Sequence, residues 1–332
     1  MKAIQFSAAG FDNLAIVELP DPEPGPGQIL IAMKAASINF RDIVVASGKY
    51  PAKWPLVPLS DGVGVVEAVG EGVTRFKAGD RVSPIYAPHW LSGPPSDAVT
   101  SPALGGDIDG VLRQKMVADA KAVVAVPDHL TDAQAATLTV AGVTAWSALV
   151  DFGRVKPGDT VLIEGTGGVS LFALQFAKLA GARIAIISSS DEKLERARAL
   201  GADILVNYRE TPEWGAAIAK ATGGVDLIVE TIGADTLANA LEAAKKGARV
   251  AQIGLRSGPG AALPLQYFIP RAVTMAGILV GSRTAYEAMN RAIALHGLVP
   301  VVDQAFGFDQ LGQALGTLAK GGHFGKLVLE IG

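Results

Sequence analysis

The sequence predicts an α/β protein with two domains, an irregular β-rich domain and a doubly wound parallel sheet. With 332 residues the chain is long for a single core. Short β-rich runs separated by Gly and Pro turns fill residues 1–128, whereas strand-like and helix-like stretches alternate over residues 129–282. One further helix pattern and a terminal strand in residues 283–332 would complete the first domain.

The first region shows β-rich character in "AIVELP", "ILIAMKAASI", "GVGVVEAVG" and "DRVSPIY", with turns at "PGPGQ" and "KAGD". These irregular short runs predict a β-barrel or sandwich. Only residues 84–110 are long enough without such a pattern to predict an extended loop.

The second region begins with a helix whose Thr131 and Gln134 match a capping box. The predicted strands that follow are "TVLIEG", "RIAIIS", "DILVNY", "VDLIVET" and "RVAQIG". Helical stretches between them predict parallel strands, and "VTMAGILVGS" reads as an apolar edge strand. The last elements are the helix "AYEAMNRAIALHGL" and the strand "GKLVLEI".

Composition excludes several classes of protein. The chain is 49% hydrophobic and 18% charged, with a net charge of -3, so nothing indicates binding to nucleic acid or to an anionic membrane surface. No signal peptide or long apolar span is evident, which predicts a cytoplasmic protein that acts on a small molecule. The absence of Cys excludes disulfides, thiolate nucleophiles and cysteine-ligated zinc.

The stretch "VLIEGTGGVSLFALQFAKLAGARIAIIS" predicts a dinucleotide site, because a strand, a glycine-rich loop, a helix and a second strand follow in that order. Glycines allow a tight turn and close approach of a pyrophosphate to the first amides of the helix. Ser170 stands where the third glycine of the motif would be. The residues predicted to line the phosphates are Gly165, Thr166, Gly167, Gly168 and Val169.

The second strand ends in serines rather than in the carboxylate that holds a ribose 2′-hydroxyl in NAD sites. A carboxylate would repel a 2′-phosphate, whereas Ser188 and Ser189 can donate to it and Lys193 adds a cation. This pattern favours NADPH. The alternative is that Ser190 only caps the next helix and Lys193 is a solvated helix residue.

Several motifs over nearly the whole chain carry a resemblance to a known family: "KAASINFRDIVVASGKY", "SDGVGVVEAVGEGVTRFKAGDRV", "AGVTAWSAL", "GTGGVS", "ARALGAD" and "GHFGKLVLEI". The sequence resembles the medium-chain dehydrogenase/reductase superfamily, in its zinc-independent quinone-oxidoreductase-like and alcohol-dehydrogenase-like branch. The resemblance implies a GroES-like catalytic domain, a Rossmann domain and a homodimer that forms through the edge strand.

The same resemblance implies further cofactor contacts. The positions that hold the 2′-phosphate in NADPH-using quinone oxidoreductases match Ser189, Lys193 and Tyr208. Gly254 and Leu255 match a segment that approaches the carboxamide, and the closing motif with Phe324 matches a cofactor-facing segment.

The resemblance also implies a departure at the metal. The positions at which zinc-dependent alcohol dehydrogenases place Cys, His and Cys match Asn39, Ser60 and Ala141, and the four-cysteine structural zinc lobe is missing. Because thiolate and imidazole are both absent there, we expect no zinc and assign no metal ligand.

Four residues are candidates for catalysis. By resemblance, Asn39 lies near the nicotinamide or substrate, and Tyr50 matches a pocket tyrosine that could donate to a developing oxyanion. Arg41 is a third candidate, although it could instead form a structural ion pair with Asp42. Thr144 matches a nicotinamide contact, although its hydroxyl could be satisfied by its own helix backbone.

Without a Lewis acid, hydride transfer to an already electrophilic carbon is the most accessible reaction. We therefore predict NADPH-dependent reduction of a quinone or an activated carbon–carbon double bond. Two alternatives stay open, a metal-free alcohol or carbonyl dehydrogenase and a non-catalytic NADPH-binding protein with a regulatory or structural role.

Overall fold

The computed structural model describes residues 1–255, 257 and 264–332. Its strands, in chain order, are β1 (Lys2–Phe6), β2 (Leu14–Glu18), β3 (Gln28–Ser37), β4 (Asp61–Val69), β5 (Arg81–Pro84), β6 (Lys115–Asp119), β7 (Val123–Ala125), β8 (Thr160–Glu164), β9 (Arg183–Ser188), β10 (Ile204–Asn207), β11 (Val225–Glu230), β12 (Ala244–Gln252), β13 (Thr274–Gly277), β14 (Val302–Gly307) and β15 (Lys326–Glu330).

The α-helices are α1 (Phe40–Ala46), α2 (Asp97–Thr100), α3 (Asp132–Ala135), α4 (Val143–Trp146), α5 (Gly168–Leu179), α6 (Asp191–Ala199), α7 (Trp214–Thr222), α8 (Ala234–Ala243), α9 (Phe268–Arg271), α10 (Arg283–His296) and α11 (Leu311–Lys320). Wider π-helical turns, Leu138–Gly142 and Ser147–Phe152, flank α4. Within the described residues, no helix is long and apolar enough to cross a bilayer.

The chain divides into two units. Unit 1 contains residues 1–143 and 281–332, and unit 2 contains residues 144–280. The sequence placed the first boundary at residue 128, but unit 1 extends further because α3 packs on β3, β4, β14 and β15. The predicted capping box at the start of α3 is confirmed, since Thr131 Oγ1 accepts from Gln134 N and Thr131 N donates to Gln134 Oε1.

Unit 1 is built on a seven-stranded sheet with the order β14-β15-β3-β4-β5-β7, in which β6 also pairs with β3. The strand pairs are antiparallel except β14 with β15, and a separate hairpin joins β1 to β2. Alternating apolar side chains such as Ile29, Ile31 and Met33 form its core. The register places the last residue of β3, Ser37, beside the first residue of β4, Asp61.

Unit 2 is a six-stranded parallel sheet with the order β10-β9-β8-β11-β12-β13. Counted from β8 this is the 3-2-1-4-5-6 order of a doubly wound dinucleotide-binding sheet, so the predicted fold is confirmed. Every residue of β8 is buried, which explains its continuous apolar run. The strand order reverses between β8 and β11, the point at which ligands bind in such sheets.

Candidate active site

The predicted site residues are divided between the two units. Asn39, Arg41, Tyr50 and Phe324 lie in unit 1, whereas Thr144 and the other predicted cofactor contacts lie in unit 2. Their roles stay predictions. The geometry of each group within its own unit determines which chemistry it can perform.

The glycine-rich loop joins β8 to α5 with the geometry of a phosphate cradle. Gly165 has φ +70, a left-handed conformation that favours glycine. Gly167 caps α5 without any side-chain hydrogen bond to the first amides of the helix, and a Cβ at this position would meet no atom within 4 Å. Ser170 Oγ donates 2.7 Å to Glu164 O, so the hydroxyl holds the loop against the strand end. The start of α5 thus has free space beside Gly167, at a helix N-terminus, where an anion is favoured.

The carboxyl end of β9 carries hydroxyl groups. Ser188 is buried, and its Oγ accepts from Ser190 N at 3.3 Å. Ser190 is the N-cap of α6 and accepts from Lys193 N at 3.4 Å, so the capping role is confirmed. Ser189 is partly exposed between them. The nearest acid along the chain, Asp191, accepts from Asn207 Nδ2 at 2.9 Å, which ties this carboxylate to the end of β10.

Other predicted cofactor residues border the same sheet. Tyr208 follows β10, and its N–H donates to Ser188 O at 3.1 Å. Gly254 follows β12 and lies so close to the Thr231 backbone that a Cβ would collide with it. Leu255 is 66% exposed beyond that turn. Thr144 is buried in α4.

The residues of unit 2 fit a dinucleotide. The uncapped amides at the start of α5 would bind the pyrophosphate, and serines stand at the end of β9, where the adenosine ribose is read in such sheets. A nicotinamide cofactor bound here supplies a hydride. Phe324, in unit 1, is 2% exposed, and its contact with the cofactor stays a prediction.

Two glutamates end the neighbouring strands β8 and β11 beneath the glycine-rich loop. Glu164 and Glu230 are both fully buried, and the register that pairs Ile163 with Val229 makes them neighbours. Glu230 accepts from the N–H groups of Ile232 and Gly233 at 2.7 and 2.8 Å. Burial and the adjacent Glu230 raise the pKa of Glu164 well above its ordinary value. Glu164 therefore stays protonated to a higher pH than an exposed glutamate does.

In unit 1, Asn39 is bound by a lysine that the sequence analysis did not select. Lys326, the first residue of β15, is 3% exposed. Its Nζ donates to Asn39 Oδ1 and to Ile38 O, both at 2.7 Å. Its distance to Asp61 Oδ2 is 3.8 Å. Burial lowers the pKa of Lys326, and the two nearby aspartates, Asp61 and Asp42, oppose this shift.

Asp61 joins the other positions of this region. Its carboxylate accepts from Ser37 Oγ at 3.3 Å, Ser60 Oγ at 3.1 Å and Val140 N at 3.3 Å. Burial raises the pKa of Asp61, while Lys326 and the Asn39 side chain lower it. The buried Asp61 carboxylate thus connects Ser37, Ser60 and Val140 within the unit. We call Asn39, Asp61 and Lys326, with the hydroxyls of Ser37 and Ser60, the Lys326 cluster.

Arg41 and Asp42, the two residues of the structural alternative, do not form a close ion pair, although the charge of Arg41 still lowers the pKa of Asp42. Within the described residues, Arg41 Nε, Arg41 Nη2 and Asp42 Oδ1 have no hydrogen-bond partner, and no ion pair joins the two side chains. Asp42 instead accepts from the Asn39 N–H at 2.7 Å and caps α1. Its pKa is raised to about 6 by burial, against the lowering effect of Arg41. The reason is geometric, because the capping contact turns the carboxylate toward the start of its own helix.

Arg41 lies between two tyrosines. Its guanidinium carbon is 4.9 Å from the ring centroid of Tyr50 and 5.1 Å from that of Tyr86, and its Nη1 donates to Leu104 O at 3.0 Å. The Tyr50 hydroxyl donates to Asp107 Oδ1 at 3.0 Å. Gly106 makes room for this packing, since a Cβ there would collide with Arg41 Nη2. The structure therefore brings Arg41 and Tyr50, two of the candidates for catalysis, into contact with each other.

Sequence reasoning missed Lys326, Asp107 and the glutamate pair. A lysine that begins the apolar run "LVLEI" was a usable signal, since a lysine inside such a run is rarely buried without a partner. Glutamates that end "TVLIE" and "DLIVE" were similar signals. Asp107 carried none, because it lies in the extended loop.

The zinc ligand positions of alcohol dehydrogenases do not fit a zinc ion in this chain. Asn39 offers an amide oxygen that Lys326 already occupies, Ser60 donates to Asp61, and Ala141 has no donor atom. Within the described residues, no group of three or more His, Cys, Asp or Glu side chains could hold a metal ion.

Comparisons with known proteins agree with this architecture. Residues 25–128 match the alcohol dehydrogenase GroES-like domain, and residues 168–295 match the zinc-binding dehydrogenase family. The chain is 41% identical to a zinc-type alcohol dehydrogenase-like protein of Schizosaccharomyces pombe, over 97% of this chain and 96% of the relative.

Two solved structures of alcohol dehydrogenases are similar to this chain, one described by its cofactor and the other by its metals. A NAD-dependent alcohol dehydrogenase superimposes with a TM-score of 0.92 at 33% identity and 100% coverage of both chains. A cobalt- and zinc-bound thermostable alcohol dehydrogenase from Pyrobaculum aerophilum gives a TM-score of 0.87 at 28% identity, over 99% of each chain. The chain therefore belongs to the medium-chain dehydrogenase/reductase superfamily. It is an alcohol-dehydrogenase-like oxidoreductase that uses a nicotinamide cofactor.

Proposed function

We propose that this protein is a zinc-independent, NADPH-dependent reductase of quinones or of carbon–carbon double bonds conjugated to a carbonyl group. The Lys326 cluster carries the proposal, because the Asn39 amide at one zinc-ligand position accepts from a buried ammonium, and the Ser60 hydroxyl at another donates to Asp61, the counter-charge of that ammonium. Such groups stabilise negative charge by hydrogen bonding and fixed positive charge rather than by coordination.

The proposed reaction is balanced as follows. The electrophilic carbon would take a hydride from the reduced nicotinamide, which leaves as the oxidised cofactor; the π-electron pair moves to the carbonyl or quinone oxygen, and a proton from solvent completes the reduced product. Asn39 is proposed to donate a hydrogen bond to that oxygen, and Tyr50 is proposed to do so by exchanging its hydrogen bond to Asp107 for one to the substrate. An alcohol substrate would need an alkoxide first, which zinc-dependent enzymes form with their metal.

The first experiment compares acceptors. Metal-stripped protein is incubated with NADPH and, in separate reactions, with a quinone, an enone and an aldehyde, while cofactor oxidation and products are followed. We expect turnover of the quinone or the enone that persists without metal. Exclusive turnover of aldehydes or alcohols would support the second candidate, a metal-free alcohol or carbonyl dehydrogenase, which the names of the relatives favour.

The proposed preference for NADPH predicts the effect of one substitution. Ser189→Asp places a carboxylate at the end of β9, where it accepts from a ribose 2′-hydroxyl and repels a 2′-phosphate. We expect the ratio of kcat/KM for NADPH to that for NADH to fall by about 10²-fold. Dissociation constants from cofactor fluorescence provide the same ratio without turnover.

Ser189→Ala is the matched control, because it removes only the hydroxyl and should reduce the ratio by less than tenfold. The Ser190 cap stays intact in both variants. A wild-type protein that prefers NADH would contradict the proposed cofactor.

We also propose a homodimer that forms through β13. This strand pairs only with β12 among the described strands and so forms an edge of the sheet. Leu279, directly beyond β13, is 47% exposed. Exposed edges of this kind are commonly covered by a second chain.

The dimer has its own test. Light scattering after size exclusion should give twice the chain mass of 34.1 kDa. Leu279→Lys should shift the protein toward the monomer because it adds a charge at the edge. Leu295→Lys, on α10 of unit 1 at a position that is 80% exposed, should leave the mass unchanged. Wild-type protein of monomer mass at all concentrations would remove the proposal.

A further inference from the structure

A buried ammonium in contact with a candidate catalytic amide is unusual. Lys326 is 3% exposed and stands at the start of a strand whose next three residues, Leu327 to Leu329, are at most 1% exposed. Removing an ammonium from water is unfavourable unless hydrogen bonds and a counter-charge compensate. Asp61 supplies the counter-charge at 3.8 Å, beyond hydrogen-bond distance, while the two short bonds go to Ile38 O and Asn39 Oδ1.

The donor chemistry of lysine fixes the orientation of Asn39. An ammonium has three donors and no acceptor, so the atom of Asn39 that faces Lys326 must be the carbonyl oxygen. The Nδ2 group therefore points away from Lys326. Nδ2 is buried and makes no hydrogen bond with the described residues, although the side chain lies close enough to Asp61 to lower that group's pKa.

The same contact strengthens Asn39 as a donor. A charged donor on the amide oxygen polarises the amide, and hydrogen bonds in such a chain strengthen one another at low local dielectric. An amide NH2 carries two hydrogens, so one remains for an acceptor even beside Asp61. Asn39 also precedes α1, whose capping contact from Asp42 to Asn39 N holds the backbone of the residue.

We propose that Lys326 is a positioning residue of the active site, which fixes the Asn39 amide with its NH2 group as the donor and polarises it toward the acceptor oxygen. The inference rests on the proposed function and deepens it. Lys326 is the cation that the chain itself places on Asn39, one of the positions that match a zinc ligand. Asp61 balances the charge of this cation, whereas the orientation of the Asn39 amide is set by Lys326.

The test separates positioning from charge balance. Lys326→Met leaves Asp61 buried without a cation, so both stability and turnover should fall. Adding Asp61→Asn removes the carboxylate that lies 3.8 Å from Lys326 in the wild type and should restore most of the lost thermal stability. We expect kcat to stay at least tenfold below wild type in the double variant, while KM for the acceptor and Kd for NADPH change less than threefold.

Lys115→Met is the matched control. Lys115 lies in β6 of the same unit and forms only surface ion pairs, with Asp21 and Glu67. This variant should keep kcat within twofold. A double variant that recovers kcat together with stability would show that Lys326 is only the counter-ion of Asp61, and the proposal would be overturned.

The orientation of the Asn39 amide can also be measured without any enzymatic reaction, so that this test does not depend on the proposed reduction. The side-chain amide signals of Asn39, assigned by their loss in Asn39→Asp, are followed by ¹⁵N NMR. We expect them to shift and to exchange faster with solvent in the Lys326→Met/Asp61→Asn protein than in the wild type and in Lys115→Met. Unchanged signals would overturn the positioning role, whereas shifted signals in a protein that reduces no acceptor would contradict only the proposed function.

Discussion

Replacing Tyr50 with phenylalanine is expected to lower kcat for the proposed reduction by about 10²-fold, the scale of a lost proton or hydrogen-bond donor. The ring stays, so its contact with the Arg41 guanidinium, 4.9 Å from the ring centroid, is retained. Only the hydroxyl is lost, together with its 3.0 Å hydrogen bond to Asp107. Because this donor acts on charge that develops during the reaction, KM and NADPH affinity should change little. Steady-state kinetics with the enone or quinone provides the measurement.

Tyr86→Phe is the control for this prediction. The ring centroid of Tyr86 is 5.1 Å from the Arg41 guanidinium carbon, and the residue is 6% exposed. The variant therefore removes a hydroxyl from the second tyrosine that packs on Arg41. Its kcat should stay within threefold of wild type. Equal losses of kcat in Tyr50→Phe and Tyr86→Phe would mean that both hydroxyls only support the packing around Arg41. Tyr50 would then lose its proposed role as a donor.

The second large effect concerns stability. Glu164→Gln should make the protein more stable than wild type at pH 8 to 9 and change stability little near pH 5. Burial and the neighbouring Glu230 raise the pKa of Glu164 well above 4.5, so the folded state holds a proton that the unfolded state releases. The stabilisation from this proton is fully present below pH 4.5 and is lost as pH rises toward the folded-state pKa.

The size of the effect follows from linkage. In wild type the free energy of unfolding decreases by about 1.4 kcal/mol for each pH unit in that window, whereas glutamine has no proton to lose. A glutamine amide can still donate to Glu230. Urea unfolding of both proteins between pH 5 and 9 measures the difference.

Glu230→Gln is the contrasting variant. Glu230 accepts from the N–H groups of Ile232 and Gly233, so this substitution weakens the turn after β11 and should destabilise the protein at every pH. Parallel pH curves for wild type and Glu164→Gln would show that Glu164 does not hold the proton.

Local patterns predicted most of the fold. The alternation of strands with helices ending in glycine gave the doubly wound sheet of unit 2, and the capping box at Thr131 marked the start of α3. The glycine-rich loop and the serines at the end of β9 were likewise readable, because a dinucleotide site of this kind is built from residues close together in the chain.

The chemistry of unit 1 was less readable. Asn39 and Tyr50 were found through resemblance, and in place of the alternative ion pair with Asp42, Arg41 packs against Tyr50 and Tyr86. Neighbouring positions in sequence did not reveal which side chains turn toward one another. Capping of α1 and the loop around Asp107 decided that arrangement.

By itself the sequence determined the class of fold, the cofactor loop and the loss of thiolate and imidazole from the zinc positions, because each depends on residue type and local spacing. The tertiary structure alone decided that Lys326 binds Asn39, 287 positions away, and that Glu164 adjoins Glu230. Both contacts depend on which strands become neighbours and in which register they pair. Strand order and register are set by the packing of the whole sheet, and so no local pattern contains them.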